Sequence, residues 1–431
     1  MNARHLLLSA VAVASLAACG PDPVDPRRQI GAHPYLPDIH QYLLPPMKLA
    51  TVVGWNGARP TVASGLKISA FATGLKNPRM VYGLPNGDVL VVESDGPVPP
   101  VTRPKEFVMA WLEKKAHSST KAGNRILLLR DANGDGVPEM QTVFIDNLHS
   151  PFGVVLVGND LYVANADAVM RFPYQADQTQ ISAPGIKLTD LPGGPINHHW
   201  TKSLTASPDG TKLYAGVGSN SNITENGIGA EFERARIWEI DRATGAHRPY
   251  ATGLRNPNGL QFEPKTKMLW TVVNERDELG PDLVPDYLTS VKEGAFYGWP
   301  YSYYGQHIDS RVMPQRPDMV AKAIPPDYAL SSHVAPLGMV FSANAKLTPA
   351  YSEGAFVAEH GSWDRTRFNG YKVVFVPFSG GHPSGMAQDV VTGFLDGDNA
   401  HGRPVSLAID SKGALLIADD VGNTVWRVTA R

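Results

Sequence analysis

Two adjacent histidines, in the segment Asn197-His198-His199-Trp200, have the clearest potential for chemistry in this sequence. A neutral imidazole acts as a general base or as a metal ligand near neutral pH. Because neighbouring side chains on a strand point to opposite faces, we expect only one of the two to reach a given cavity. His333 and His360 also stand next to predicted strands, so they remain candidates to share the role of base.

Three arginines, Arg79, Arg255 and Arg403, occupy the turns that precede predicted strands. If these turns meet at one end of the fold, three guanidinium groups converge there. Like charges repel, so convergent arginines without acidic partners predict a polyanionic ligand, held through bidentate carboxylate or phosphate contacts. The alternative is that each arginine pairs with a nearby carboxylate.

A turn with alternating oxygen ligands, formed by Asp131, Asn133 and Asp135, resembles a calcium loop. The twelfth position, where an EF-hand has an acidic residue, is Thr142. The segment is therefore either a small Ca²⁺-binding turn or a turn held by Asx hydrogen bonds without a metal.

A long segment from Asn274 to Gln306 combines charged residues with many aromatic rings. It is too rich in Gly, Pro and charge for a helix. Loops of this length are usually functional or disordered, and the aromatic content argues against disorder. Trp299 and Tyr301 are candidates for stacking on a substrate.

A recurring pattern of a Pro or Gly turn, an apolar strand, a Gly turn and a second strand must position these residues. The six copies run over 77–91, 150–163, 199–216, 256–273, 335–357 and 403–417. Their spacing of roughly 50 to 80 residues is typical of propeller blades of four strands. We therefore predict an all-β, six-bladed β-propeller with every pre-strand turn at one mouth. The strand 424–428 is predicted to pair with 66–71 and so close the ring.

The chain divides into a signal segment (1–19), a proline-rich tether (20–60) and the propeller (61–431), with insertions at 97–123 and 275–328. The first insertion contains a predicted short amphipathic helix, 106–115. The apolar run 6–18 follows a basic start and is too short to span a bilayer. Leu16-Ala17-Ala18-Cys19 resembles a lipoprotein cleavage box, which predicts an exported, periplasmic protein with a lipid on Cys19. An ordinary secretory signal is the alternative.

The net charge of −2 does not indicate nucleic acid as a partner. Membrane contact is expected only through the lipid. The sequence has no Cys-x-x-Cys-His motif, so it encodes no covalent c-type haem.

Several motifs together resemble the quinoprotein sugar dehydrogenases, and most closely their sorbosone and pyranose dehydrogenase branch. The motifs are Gly253-Leu254-Arg255-Asn256-Pro257-Asn258-Gly259-Leu260, Asn274-Glu275-Arg276-Asp277-Glu278-Leu279-Gly280, Glu293-Gly294-Ala295-Phe296-Tyr297-Gly298-Trp299-Pro300, Tyr301-Ser302-Tyr303-Tyr304-Gly305-Gln306, His333-Val334-Ala335-Pro336-Leu337-Gly338, His360-Gly361-Ser362-Trp363-Asp364-Arg365 and Gly402-Arg403-Pro404-Val405.

The resemblance implies pyrroloquinoline quinone (PQQ) at the channel mouth with a Ca²⁺ ion on it. The residues implied for PQQ are Arg79, Arg255, Asn256, Asn258 and Arg403. The residues implied for the ion, through backbone carbonyls, are Asn274, Glu275 and Arg276. The catalytic histidine of the family maps onto His199. The residues implied for the substrate are His198, Trp299, Tyr301 and His333.

The expected activity is oxidation of an aldose or a related sugar aldehyde or hemiacetal. In this mechanism, His199 removes the hydroxyl proton, hydride passes to C5 of PQQ, and Arg255 stabilises the developing oxygen charge. The electrons then leave to an external acceptor, either a cytochrome or a quinone. A calcium-dependent lactonase and a non-catalytic binding propeller are the two alternatives.

Overall fold

This computed structural model describes residues 24–42, 47–98, 100 and 121–431. Cys19 and the predicted helix 106–115 lie outside these residues. Helices within the described ranges are short: α1 (Pro317–Val320) and four 3₁₀ turns, at Pro26–Gln29, Ile228–Glu231, Ser342–Asn344 and Pro349–Tyr351. No helix in this part of the chain has the length and apolar character that crossing a membrane requires.

Strands account for most of the regular structure. The N-terminal strands are β1 (Ile30–Gly31), β2 (Thr51–Val52), β3 (Thr61–Val62) and β4 (Leu66–Ala72). Sheet A contains β5 (Pro78–Gly83), β6 (Val89–Glu93), β7 (Arg125–Arg130) and β8 (Met140–Ile145). Sheet B contains β9 (Gly153–Val157), β10 (Asp160–Ala164), β11 (Ala168–Pro173) and β12 (Ile186–Asp190). Sheet C contains β13 (Leu204–Ala206), β14 (Lys212–Val217), β15 (Arg236–Asp241) and β16 (His247–Thr252).

The second half of the chain continues the same pattern. Sheet D contains β17 (Pro257–Phe262), β18 (Leu269–Val273), β19 (Pro285–Val291) and, after the hairpin β20 (Ser302–Tyr303) and β21 (His307–Ile308), β22 (Tyr328–Ser332). Sheet E contains β23 (Pro336–Phe341), β24 (Gly354–Glu359), β25 (Lys372–Ser379) with its short partner β26 (His382–Pro383), and β27 (Gln388–Thr392). After β28 (Leu395–Asp396) and β29 (Asn399–Ala400), sheet F contains β30 (Pro404–Ile409), β31 (Leu415–Asp419), β32 (Thr424–Ala430) and β4.

The first two strands of all six sheets coincide with the six repeat copies predicted from the sequence. The chain is therefore nearly all-β and antiparallel, as predicted, and it has the architecture of a β-propeller. The apolar pattern of the repeat was strong in the sequence because both faces of the second strands are buried. In β6, for example, Leu90 and Val92 pack toward sheet B, whereas Val89 and Val91 pack toward sheet F. Two-sided burial requires continuous apolar strands.

Six apolar clusters, each between two successive sheets, form the core of the described structure. The order A–B, B–C, C–D, D–E, E–F and F–A returns to its start, so the sheets form a ring. Sheet F is completed by the predicted pairing of β32 with β4, which the register Trp426 with Ala70 and Val428 with Ile68 confirms. The ring thus joins both ends of the folded chain.

The predicted tether (20–60) is wrong for the described part of this segment. Strand β1 adds to β22, and β2 pairs with β29. Gln29 is fully buried, and Trp55 Nε1 donates to Asp419 Oδ2 at 2.7 Å. Prolines favour an extended backbone but do not prevent it from packing, so the segment lies along the sheets.

The predicted insertion at 275–328 also needs correction. Residues Pro285–Val291 form β19, a fully buried third strand of sheet D. The inserted part is therefore 292–327, between β19 and β22. Strand β19 is uniformly buried, so it lacks the polar–apolar alternation that marks a half-exposed strand.

Candidate active site

The starts of the first strands meet at one end of the ring, which we call the mouth. Phe152, Leu337 and Val405, which precede or begin strands of sheets B, E and F, form one apolar cluster with Trp200. Behind it, the first strands of all six sheets line a cavity of about 280 Å³. The predicted convergence of the pre-strand turns is thus observed, and the cluster separates the cavity from the residues of the mouth.

His199 lies at the mouth, half-buried, in the turn before β13. Its Nδ1 is 2.8 Å from the carbonyl oxygen of Ser219 and 3.1 Å from the hydroxyl of that residue. A carbonyl only accepts hydrogen bonds, so Nδ1 carries the proton and Nε2 carries the lone pair. Burial, followed by the positive charge of Arg255, holds the pKa of His199 well below its usual value. The side chain is therefore a neutral base.

Close packing at Gly218 brings His199 next to Asn256. A Cβ atom on Gly218 would lie 2.5 Å from both Asn256 Oδ1 and His199 Cβ, so only glycine allows this approach. Asn256 Oδ1 is buried and has no hydrogen-bond partner among the described residues.

Arg255 binds the loop that follows β18. Its Nη1 donates to the carbonyls of Glu275 at 2.8 Å and Asn274 at 3.4 Å, while its Nη2 donates to Asn222 Oδ1 at 3.1 Å and lies 3.5 Å from Asp277 Oδ2. Its Nε is buried and has no partner in the part of the chain that the structure describes.

His333 is a cation in this site. Its Nδ1 donates to Asp277 Oδ1 at 3.1 Å and its Nε2 to the carbonyl of Gly280 at 3.2 Å. Burial opposes the charge, but the hydrogen bond and charge of Asp277 outweigh it and raise the pKa of His333 to about 9. Asp364 also lies within ligand distance of this pair. Because both imidazole nitrogens donate hydrogen bonds, His333 has no lone pair to offer to a metal ion in this arrangement.

Arg79 and Arg403 join a second cluster at the mouth. Arg79 pairs with Asp420, and Nε2 of His360 is 3.0 Å from both oxygens of Asp420. Arg403 donates to the carbonyls of His360 at 2.9 Å and Gly361 at 2.5 Å. Burial and the charge of Arg403 lower the pKa of His360 to about 4. Trp200 links the clusters, since its ring centroid is 5.7 Å from the Arg79 guanidinium.

The expectation of arginines without acidic partners is wrong for two of the three, because Arg79 has Asp420 and Arg255 has Asp277. Arg403 instead binds backbone carbonyls. Asp420 was not among the residues predicted for the site. The pattern that could have identified it is the acidic pair Asp419-Asp420, which ends the apolar strand β31 at the same end as the turns.

Other predicted site residues have structural contacts. Asn258 is fully buried between Thr201 and the carbonyl of Asn256. Trp299 is buried and donates to the carbonyl of Asn222 at 3.0 Å, whereas the ring of Tyr301 is 5.9 Å from the Arg316 guanidinium. His198 is exposed beside His199.

The two loops predicted to bind calcium have different surroundings. The side chain of Arg276 forms a buried ion pair with Asp309. In the turn 131–139, Asp131, Asp135 and Glu139 lie within ligand distance of one another. The oxygens of Asp131 and Asn133 accept Asx-type hydrogen bonds from backbone N–H groups, and Lys412 Nζ is 3.2 Å from Asp131 Oδ2.

Comparison with known proteins gives one family and one fold. A family model described as TrAA12-like matches residues 60–285 and 313–431. A calcium structure of the Trichoderma reesei Carbohydrate-Active Enzymes Family AA12 protein has a TM-score of 0.70 at 19% identity, over 86% of this chain and 97% of that one. The holo form of the pyranose dehydrogenase PQQ domain from Coprinopsis cinerea has a TM-score of 0.69 at 21% identity, over 86% and 97%. An uncharacterized protein of Borreliella burgdorferi is 28% identical over 292 residues, which are 65% of this chain and 76% of that protein. The resemblance to PQQ-dependent sugar dehydrogenases predicted from the motifs is confirmed.

Proposed function

Because this chain belongs to the TrAA12-like family, we propose that it is a PQQ-dependent oxidoreductase that oxidises an aldose or a related sugar aldehyde or hemiacetal. Each of the six sheets is one blade of its propeller. The observation that carries the proposal is a neutral base, His199, placed beside Arg255 and Asn256. Arg255 Nε and Asn256 Oδ1 are buried and have no partner among the described residues.

The donor set at the mouth fits PQQ. The cofactor is a tricarboxylate, and guanidinium groups bind carboxylates through two parallel hydrogen bonds. Arg79 Nε and Arg255 Nε are buried without partners in the described chain, and Arg403 has only neutral partners, so each can donate to a ligand. Asp420 fixes Arg79 in place, although its charge opposes an anionic ligand.

The predicted calcium loop suits a Ca²⁺ ion less directly than the mouth suits PQQ. The carbonyls of Asn274 and Glu275 are suitable oxygen ligands, but both accept hydrogen bonds from Arg255. The positive charge of the Arg255 guanidinium opposes a cation at these oxygens. We therefore assign no step of the reaction to the ion.

The residues at the mouth supply proton transfer and charge stabilisation. Nε2 of His199 accepts the proton of the sugar hydroxyl, while Nδ1–H remains bonded to the carbonyl of Ser219 and stabilises the imidazolium that forms. Arg255 stabilises negative charge that develops on the sugar oxygen. PQQ, when bound, accepts the hydride and its two electrons. The electrons then pass to a separate acceptor, a cytochrome or a quinone.

The chain is exported to the periplasm, with Cys19 lipidated. The support is the cleavage-box pattern Leu16-Ala17-Ala18-Cys19 after a short apolar run. Mass spectrometry of the mature N-terminal peptide tests this directly.

The enzymatic proposal is tested by adding PQQ and Ca²⁺ to the purified apo-protein and measuring dye reduction with a panel of aldoses and aldehydes. We expect activity only with PQQ present. Hydrolysis of lactones without PQQ would instead establish a lactonase, and no PQQ binding would leave a non-catalytic binding propeller.

A further inference from the structure

The N-terminal segment begins its described course on the mouth side of the molecule. Val24 N donates to Asp282 Oδ2 at 3.1 Å, and Gln29 Nε2 donates to the carbonyl of Asp282 at 2.5 Å. Asp282 also accepts a hydrogen bond from Arg365 at 2.6 Å. Asp282 belongs to the loop from β18 to β19, the same loop whose Asn274 and Glu275 carbonyls bind Arg255.

The segment then follows the rim of the mouth. His40 N donates to the carbonyl of Leu279 at 2.9 Å, next to Gly280, which binds His333. Lys48 N donates to the carbonyl of Trp363 at 3.0 Å, in the loop that joins β24 to β25. The rim of the candidate active site therefore includes residues close to Cys19 in the sequence.

The distance between a lipid on Cys19 and the mouth is short. Val24 is five residues beyond Cys19, and five extended residues span at most about 17 Å. A six-residue strand such as β5 adds about 20 Å before the opposite end of the ring is reached. A lipid anchor on Cys19 thus holds the mouth, rather than the opposite end, near the bilayer.

Exposed large apolar side chains are concentrated at the mouth end of the ring. In an antiparallel sheet, the loop between the second and third strands lies at the end where the first strand begins. Ile228 and Phe232 lie in such a loop of sheet C, and Val98 lies in that of sheet A. Ile308 and Met313 flank Asp309 and Arg311, which pair with Arg276 and Glu278 of the mouth loop. The N-terminal segment contributes Tyr35, Ile39, Met47 and Val53.

The opposite end has fewer such side chains among the described residues. Val137 and Ile186 lie in or at the end of loops between third and fourth strands, and Met386 lies between β26 and β27. Apolar side chains in excess on one face mark an interaction surface. With a lipid-modified cysteine next to that face, the surface fits the interfacial region of a bilayer.

We propose that the mouth face of this protein lies against a lipid membrane, held by the lipid on Cys19 and by partial insertion of the apolar rim. The proposal rests on the proposed lipidation of Cys19, and it does not depend on the cofactor or the sugar. It places the candidate active site at the membrane surface.

The test uses the full chain, produced in a bacterium that lipidates its cleavage box and reconstituted in phosphatidylethanolamine–phosphatidylglycerol vesicles. Cys19 is the single cysteine of the sequence and is blocked when lipidated, so an added cysteine takes a fluorescent label selectively. Phe232→Cys and Met313→Cys report on the mouth face, where these side chains are 76% and 73% exposed. Ile186→Cys and Val137→Cys are the matched controls at the opposite end, each 57% exposed.

Nitroxide lipids in the vesicle quench a label in proportion to its proximity to the bilayer. We expect at least about twofold stronger quenching at the two mouth positions than at the two controls. Equal quenching at both ends, or stronger quenching at the controls, would overturn the proposal. Quenching at the mouth only after addition of native membrane proteins would overturn it in favour of a protein partner. An unmodified Cys19 in the mature protein would remove its basis, whether or not PQQ supports sugar oxidation.

Discussion

At the scale of single residues, the site depends on two histidines with opposite charge states. His199 is half-buried near Arg255 and has only neutral partners in Ser219, so it is neutral. His333 is buried and contacts Asp277, so it is cationic. The contrast follows from the partner at Nδ1, because a carboxylate stabilises an imidazolium more strongly than a carbonyl does.

Replacement of the base is expected to remove turnover without removing the cofactor. His199→Gln should lower kcat by about 10²–10⁴-fold, since glutamine cannot accept the proton. Steady-state kinetics of the PQQ-loaded enzyme and a PQQ absorbance titration separate the two effects. His382→Gln, at an exposed position in β26 at the opposite end of the ring, is the control. Near-normal turnover in His199→Gln would show that another group is the base.

The fall in activity at acidic pH reports the protonation of His199. Burial and Arg255 lower its folded pKa, so the neutral base persists below the usual histidine pKa of about 6.5. We expect kcat/KM to stay level from neutral pH through 6.5 and to fall only in more acidic solution. A midpoint at or above 6.5 in a pH–rate series would contradict this environment for the base.

His333 should make stability depend on alkaline pH. Its folded pKa of about 9 exceeds the unfolded value, so its contribution is complete below about 6.5 and is lost as pH rises through 9. The loss is on the order of 3 kcal/mol. Urea unfolding between pH 6 and 10 measures it, and His333→Gln should flatten the profile. An unchanged slope in the variant would assign the dependence to other groups.

At the scale of elements, the loop 274–278 takes its shape from neighbours on both sides. Arg255 holds its carbonyls, and the insertion 292–327 holds its side chains through the buried pair of Arg276 with Asp309. Residues 286–312 lie outside the family match, although they include Asp309 and all of β19 except its first residue. A segment outside the family match thus supports the loop that Arg255 binds.

Removing one member of the Arg276–Asp309 ion pair should destabilise the folded protein. Asp309→Ala leaves the guanidinium of Arg276 buried without a counter-charge, and we expect a loss of ~3–5 kcal/mol in the free energy of unfolding. Chemical denaturation measures the loss. The double variant Arg276→Met/Asp309→Leu removes both charges and should recover much of it. Equal losses in the single and double variants would mean that packing, rather than charge, dominates.

At the scale of the whole molecule, the ring closes through one pairing, β4 with β32. Ile68 points into the apolar cluster between sheets E and F, whereas its neighbour Lys67 is exposed. Because each sheet packs on two others, we expect the sheets to unfold together. A destabilising substitution in the closing strand should therefore lower the stability of the whole ring.

Ile68→Asp should lower Tm by on the order of 10 °C, because it buries a carboxylate in the closing strand. Lys67→Asp, at the exposed neighbouring position of β4, should change Tm by no more than about 2 °C. Calorimetry gives both values. Two separated transitions in the Ile68→Asp variant would show that the sheets unfold independently.

The sequence alone determined the repeat, the closing pairing and the end at which the turns gather. These features depend on local rules, namely strand alternation, turn residues and buried second strands. The sequence of each repeat therefore specifies them independently. It also supplied the motifs by which the family was recognised.

Only the tertiary structure decided how the charged residues pair. Asp420 is hundreds of residues from Arg79 in the chain and is its neighbour in space, and no local pattern encodes that contact. The packed course of the N-terminal segment was likewise hidden, because a proline-rich composition favours extension but does not specify a partner surface. The ion pairs and the packing of the N-terminal segment depend on which elements the closed ring brings together. Only the tertiary structure specifies these contacts.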